Sequence, residues 1–131
     1  MPGKPNMTDA LPTRRLLVAD DEPDAAEVLA QLLRLMLPGW SVSVVHGGQA
    51  AVEQARRDPL DVVVLDIEMP VLGGAEAAAA LRAEAQGAPL VLIAVSGNVS
   101  KVAAAAAGGV FDHALAKPVD LTALEKLIVL H

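Results

Sequence analysis

Short strand-like runs alternate strictly with helix-like segments along this sequence. The strongest run, residues 62–65, is continuous and almost entirely β-branched, as is typical of a parallel strand buried on both faces. Elsewhere apolar residues recur at helical spacing, as from Val28 to Met36 behind Pro23, which suits a first helical turn. Five strands and five helices in this order predict an α/β fold: a doubly wound parallel sheet with helices on both faces.

The length of 131 residues fits a single domain. Residues 1–13 contain three prolines and many polar residues, so we expect a flexible N-terminal tail followed by one folded domain over residues 14–131. The chain has no cysteine, which excludes disulfides, thiolate catalysis and cysteine-bound metals.

Charge and aromatic content argue against nucleic-acid binding. The formal net charge is -6, and the only aromatic rings of the Phe, Trp and Tyr class are Trp40 and Phe111, whereas nucleic-acid binders present basic patches and stacking rings. The first residues lack the apolar segment of a secretory signal, and no run of about 20 apolar residues occurs. We therefore expect a cytoplasmic protein that contacts neither nucleic acid nor membrane.

Polar side chains stand where four of the predicted strands end. The pair Asp20 and Asp21, then Asp66, Ser96 and Lys117, each follow a different strand. Taken singly, each is an ordinary turn or capping residue. Because ligands of open parallel sheets bind at the carboxyl ends of the strands, we expect these residues to converge on one site.

These residue types suit phosphoryl chemistry. Carboxylates about 4 Å apart repel by about 1–4 kcal/mol per pair, so the acidic cluster requires a cation, and oxygen ligands without His or Cys favour Mg²⁺. Lys117 and Ser96 add an ammonium and a hydroxyl that match the oxygens of a PO₃ unit. Asp66 can then act as the nucleophile toward phosphorus.

Four stretches match one family in order and spacing: LLVADDEPD (residues 16–24), VVVLDIEMPVLGG (62–74), VSGN (95–98) and LAKPVD (115–120). With them, the sequence resembles the receiver domain of bacterial response regulators in two-component signalling systems. The resemblance covers nearly the whole chain. It implies a flavodoxin-like (βα)5 fold with strand order 2-1-3-4-5.

The resemblance also implies roles around a metal ion. Asp66 matches the phosphoacceptor. Asp20 and Asp21 match the acidic pair that holds Mg²⁺, Asp21 directly and Asp20 through water, and Glu68 would contribute its backbone carbonyl.

Around the phosphoryl group, Ser96 matches the switch hydroxyl and Lys117 the lysine of the motif, with a cis bond expected between Lys117 and Pro118. Gly74 matches the glycine that follows the acceptor loop. The switch position three residues before the lysine commonly carries an aromatic ring or His, but here it is Ala114. We therefore expect the loop after Ser96 to respond to phosphorylation without an aromatic rotor.

The implied function is transfer of a phosphoryl group from a phosphohistidine onto Asp66, followed by altered partner binding. The partner would be a sensor histidine kinase or a histidine phosphotransfer protein, and the output partner is open. The domain would be a signalling switch rather than an enzyme, although it can promote its own phosphorylation and dephosphorylation. A stand-alone regulator, a phosphorelay module and a receiver of a hybrid kinase all fit.

Two other α/β classes share part of this pattern. A haloacid-dehalogenase-type phosphatase uses a similar set of groups, but it places the nucleophile on the first strand and the acidic pair late, the reverse of this order. A flavodoxin needs a phosphate-binding loop after the first strand, where this chain has four acidic residues within five positions.

Overall fold

The computed structural model describes residues 14–131, so the predicted tail lies outside the described residues. Five strands and five helices alternate within this range, which confirms the predicted α/β class. Their bounds are β1 (Arg14–Ala19), α1 (Pro23–Met36), β2 (Trp40–Val45), α2 (Gly48–Arg57), β3 (Val62–Asp66), α3 (Gly74–Ala85), β4 (Val91–Ser96), α4 (Val99–Ala107), β5 (His113–Ala116) and α5 (Leu121–Leu130).

The strands form one parallel sheet in the order β2-β1-β3-β4-β5, which confirms the order that the resemblance implied. Every residue of β3 is buried, as its continuous apolar run predicted. Val62 is in register with Leu16 of β1 on one side and Val91 of β4 on the other. The acceptor strand therefore occupies the centre of the sheet, with its carboxyl end flanked by those of β1 and β4.

Alternate residues along each strand face opposite helical layers. Leu17, Val63 and Leu92 pack with buried residues of α2 and α3, while Leu16, Val62 and Ile93 pack with buried residues of α1 and α5. Full burial of one such side chain contributes about 1.5–3 kcal/mol. The two layers fix the sheet from both sides and hold its carboxyl edge in place.

Helix α4 is the least embedded of the five helices, since none of its residues is buried. Its sequence is alanine-rich, and alanine has the highest intrinsic helix propensity. The Asn98 side chain caps its first turn by accepting a hydrogen bond from the Lys101 amide at 3.2 Å. Local propensity and capping therefore carry much of what packing supplies in the other helices. Over residues 14–131, no helix is both long and apolar enough to span a membrane.

Candidate functional site

Three side chains from different strand ends meet at the carboxyl edge of the sheet. The Lys117 ammonium lies 3.3 Å from an oxygen of Asp20 and 3.1 Å from an oxygen of Asp66. Asp20 and Asp66 are only 7% and 4% exposed. Residues up to 97 positions apart in the chain thus form one partly buried charged cluster.

Backbone amides hold the two buried carboxylates in fixed orientations. The Glu22 amide donates to Asp20 Oδ1 at 2.9 Å, and the Glu68 amide donates to Asp66 Oδ1 at 2.9 Å. In each case the second oxygen faces Lys117. Each carboxylate therefore accepts a backbone amide hydrogen bond on one oxygen and a bond from the Lys117 ammonium on the other. This arrangement orients the two carboxylates toward the same point.

Asp21 completes a group of three carboxylates with metal-binding spacing. One oxygen each from Asp20, Asp21 and Asp66 lies within 4.8 Å of the others. Asp21 is exposed, whereas the other two are buried. Since the cluster contains three carboxylates and one ammonium, two negative charges are uncompensated. An all-oxygen donor set of this charge suits a small hard cation such as Mg²⁺.

The titration behaviour of the cluster reflects burial and mutual charge. Burial raises the pKa of Asp66, and the nearby Asp20 charge adds to this, while the Glu68 amide and Lys117 oppose it. Burial alone would lower the pKa of Lys117, but its bond to Asp66 and the two carboxylate charges outweigh burial and raise it. The ammonium therefore stays protonated, and a further cation beside Asp66 would relieve the repulsion.

Ser96 lies fully buried at the end of β4, and its hydroxyl contacts Glu68. Ser96 Oγ donates to Glu68 Oε2 at 2.7 Å and accepts from the Asn98 amide at 3.0 Å. The same Glu68 oxygen lies 3.5 Å from the Lys101 ammonium. The Ser96 hydroxyl lowers the pKa of Glu68, although burial opposes it, and Lys101 adds to the effect.

Sequence reasoning gave Glu68 a metal-binding carbonyl but missed these side-chain contacts and did not single out Lys101. One signal was available: a lysine in the first turn of a helix is unfavourable beside the positive end of the helix dipole, which favours an acidic partner for Lys101. The remaining sequence gives no indication of which acidic residue that is.

The fifth strand places its residues on both faces, as strand alternation requires. Ala114 pairs with Ala94 and packs against the layer of α2 and α3. His113 lies on the other face, where its Nε2 is 3.0 Å from Nε2 of His131. Because residue 114 is alanine and His113 points to the other face, no ring lies at the switch position. The Lys117–Pro118 peptide bond that follows this strand is cis.

Gly74 lets α3 begin directly against the acceptor loop. A Cβ atom on this residue would lie 2.6 Å from the Ile67 Cα and 2.8 Å from the Asp66 carbonyl oxygen. The Gly74 amide donates to the Ile67 carbonyl at 3.1 Å. The glycine at this position is thus explained by a backbone-to-backbone approach that leaves no room for a side chain.

The sequence model of the response regulator receiver domain matches residues 16–129. The chain belongs to this family. Its fold is that of a receiver domain, the signalling switch of two-component systems, so the dehalogenase-type phosphatase and flavodoxin alternatives are excluded.

Two mycobacterial regulators are among the relatives of this receiver domain. It is 38% identical over 104 residues to the probable transcriptional regulatory protein TcrX of Mycobacterium tuberculosis, covering 79% of this chain and 43% of TcrX. It is 37% identical over 119 residues to the transcriptional regulatory protein PrrA of Mycobacterium leprae, covering 90% of this chain and 49% of PrrA. The chain therefore spans just under half the length of these relatives.

A solved receiver domain gives the structural counterpart. The receiver domain of sensor histidine kinase PA1611 from Pseudomonas aeruginosa, solved with a magnesium ion coordinated in its active-site cleft, superimposes with a TM-score of 0.77 at 27% identity. The match covers 89% of this chain and 95% of that one. Receiver domains similar to this one thus occur both in a sensor kinase and in transcriptional regulators.

Proposed function

We propose that residues 14–131 form a phosphoacceptor unit that takes a phosphoryl group on Asp66. The observation that carries this proposal is the nearly buried Asp66 carboxylate, bonded to Lys117 at 3.1 Å and grouped with Asp20 and Asp21. The donor would be the phosphohistidine of a sensor kinase or of a histidine phosphotransfer protein. Similar receiver domains occur in regulators and in a sensor kinase. The identity of the phosphoryl donor and of the output partner therefore depends on the full-length protein that contains the domain.

In the transfer step, one Asp66 carboxylate oxygen attacks phosphorus and forms an O–P bond. The N–P bond to the donor imidazole breaks, and its electron pair stays on the imidazole nitrogen. Such transfers depend on positioning and charge neutralisation rather than further covalent chemistry by the protein. Lys117 supplies a positive charge beside the acceptor oxygen, and Ser96 would donate its hydroxyl to a phosphoryl oxygen.

Magnesium fits the donor set of this site. The carboxylates of Asp21 and Asp66 and the backbone carbonyl of Glu68 would hold the ion directly, and Asp20 would hold it through water. When bound, the ion neutralises negative charge on the phosphoryl oxygens and on the acidic cluster. Because the domain provides these groups itself, it would also accept phosphoryl groups from small donors such as acetyl phosphate and promote its own dephosphorylation.

An apolar groove beside the site suits the docking of the donor. It is lined by Val28, Leu32 and Val119 together with Asp20 and Lys117 of the charged cluster. Val28 is an apolar residue of the amphipathic helix α1, yet its side chain is not covered: it is 57% exposed. A donor surface that covers this groove would bring its phosphohistidine to Asp66, so we expect the kinase or phosphotransfer protein to bind here.

Phosphorylation by acetyl phosphate in the presence of Mg²⁺ tests the chemistry. Intact-mass spectrometry should show one added phosphoryl group on the wild type and none on Asp66→Asn. Asp58→Asn is a matched control, because Asp58 is a partly exposed aspartate paired with Arg15 and lies away from the cluster. Phosphorylation of Asp66→Asn to the wild-type extent would refute the proposal. The proposal would also be refuted if the wild type were not modified while Asp58→Asn folded normally.

A further inference from the structure

We propose that the Glu68 side chain is a positioning residue that holds Ser96 and α4 in the unphosphorylated arrangement and must be displaced when Asp66 is phosphorylated. This inference rests on the proposed function of Asp66. It assigns to the Glu68 carboxylate a role separate from that of its backbone carbonyl, and it identifies a route from the acceptor to α4.

The first step is competition for one proton. A serine hydroxyl has a single donor hydrogen, and Ser96 directs it to Glu68 Oε2 at 2.7 Å. Its oxygen already accepts from the Asn98 amide at 3.0 Å. Ser96 can therefore donate to a phosphoryl oxygen only after its bond to Glu68 is broken.

The second step is electrostatic. Glu68 is tied to the acceptor, since its amide donates to Asp66 Oδ1 at 2.9 Å. Phosphorylation would replace the single charge of the Asp66 carboxylate with a phosphoryl group that carries about 1.5–2 negative charges near neutral pH, on the residue to which the Glu68 backbone is bonded. Loss of the Ser96 bond and repulsion by the phosphoryl group both act to move the Glu68 carboxylate away from the site.

The third step connects Glu68 to α4. The carboxylate lies 3.5 Å from the ammonium of Lys101 in the first turn of this helix. Because α4 buries none of its residues, the ion pair of Lys101 and the Asn98 cap both help to hold its first turn. Displacement of Glu68 would therefore release the start of α4, and this route needs no aromatic ring at position 114.

Beryllofluoride with Mg²⁺, which imitates the phosphoryl group on Asp66, is the probe for this proposal. Glu68→Ala should bind it about 2- to 12-fold more tightly than the wild type, which corresponds to removal of one competing hydrogen bond worth about 0.5–1.5 kcal/mol. Glu68→Gln should show a smaller gain, because its side-chain carbonyl still accepts from Ser96. Both substitutions leave the backbone carbonyl at position 68 in place.

A matched control is available at the other end of the sheet. Arg56 and Glu84 form an exposed ion pair at 2.8 Å between α2 and α3, so Glu84→Ala removes a comparable surface carboxylate. We expect its affinity for beryllofluoride to equal that of the wild type. An equal gain in Glu84→Ala and Glu68→Ala would overturn the proposal, since it would show a general effect of surface charge.

Hydrogen exchange at α4 provides a readout that altered affinity alone would not move. The Val102 amide donates to the Asn98 carbonyl at 3.1 Å at the start of this helix. Beryllofluoride should speed exchange of this amide in the wild type, whereas in Glu68→Ala exchange should already be fast and change little on binding. Unchanged exchange in the wild type would overturn the coupling to α4.

The outcomes separate this proposal from the function on which it rests. If the wild type does not bind beryllofluoride, or Asp66→Asn binds it equally well, the proposed function of Asp66 fails. If the wild type binds it and both Glu68 variants bind it no more tightly, only the role of the Glu68 side chain fails. Should Glu68→Ala not fold, the comparison of Glu68→Gln with the wild type decides.

Discussion

Replacement of Gly74 by alanine tests whether the acceptor loop is positioned by backbone packing. The added Cβ would meet the Ile67 Cα at 2.6 Å and the Asp66 carbonyl oxygen at 2.8 Å. Both atoms belong to the backbone, so no change of rotamer can relieve the contact. The loop that carries Asp66 or the start of α3 must move instead.

The size of the movement follows from these distances. Ordinary van der Waals contact with a Cβ begins at 3.4 Å, so the 2.6 Å approach to Ile67 must open by about 0.8 Å. Overpacking of this kind costs about 1–3 kcal/mol. A misplacement of about 1 Å at a reacting group can lower a rate by about 100-fold. We therefore expect Gly74→Ala to be moderately less stable and to accept phosphoryl groups one to two orders of magnitude more slowly.

The assay combines thermal unfolding with the rate of phosphorylation by acetyl phosphate in Mg²⁺, followed by intact-mass spectrometry. Gly47→Ala is the matched control, because a Cβ at Gly47 has no atom within 4 Å and its φ of -171° is extended. It should match the wild type in both measurements. A Gly74→Ala protein with wild-type stability and rate would refute the packing argument, and an equal loss in both variants would show a general effect of replacing glycine.

Three further predictions concern stability. The Asp112 carboxylate accepts a hydrogen bond from the Leu92 amide and pairs with Arg82. These contacts outweigh partial burial and hold the pKa of Asp112 below its ordinary value of 3.8. The stability that they add is present above the pKa of the unfolded chain and is lost as the pH falls through the native pKa. Asp112→Asn should therefore unfold about 1 kcal/mol more easily at neutral pH, and urea titrations should show the difference shrinking in acid; a pH-independent difference would contradict this. Mg²⁺ at about 100 times its dissociation constant should stabilise the wild type by about 2.7 kcal/mol, with a much smaller gain in Asp21→Asn, and equal gains would remove Asp21 from the metal site. Val71 is fully exposed with a φ of 69°, which is strained for a β-branched residue, so Val71→Asn should raise the free energy of unfolding by about 1 kcal/mol, and a lower melting temperature would count against this strain.

Much of the fold could be predicted because its signals are local. The continuous run at residues 62–65 predicted a strand buried on both faces, and that strand is fully buried at the centre of the sheet. Pro23 marks a helix start that lies where the sequence placed it. Strand ends could be located for the same reason, and in a parallel sheet this is enough to bring their polar residues to one edge.

Other features depend on contacts between segments far apart in the chain. Ser96 and Glu68 are separated by 28 positions, and a pattern of residue types does not tell which acceptor a hydroxyl will find. The glycine at position 74 matched a motif, but the reason for it, a backbone approach of 2.6 Å to Ile67, exists only once α3 has packed against the acceptor loop.

The sequence by itself determined the order of strands and helices, the buried centre of the sheet and the residue types delivered to its carboxyl edge, because hydrophobic periodicity and turn residues act over a few positions. Only the tertiary structure decided that the Lys117 ammonium lies between Asp20 and Asp66, and that the Ser96 hydroxyl faces Glu68. Side-chain direction and hydrogen-bond partners are set by packing and charge between distant segments, and these interactions arise only after the chain has folded.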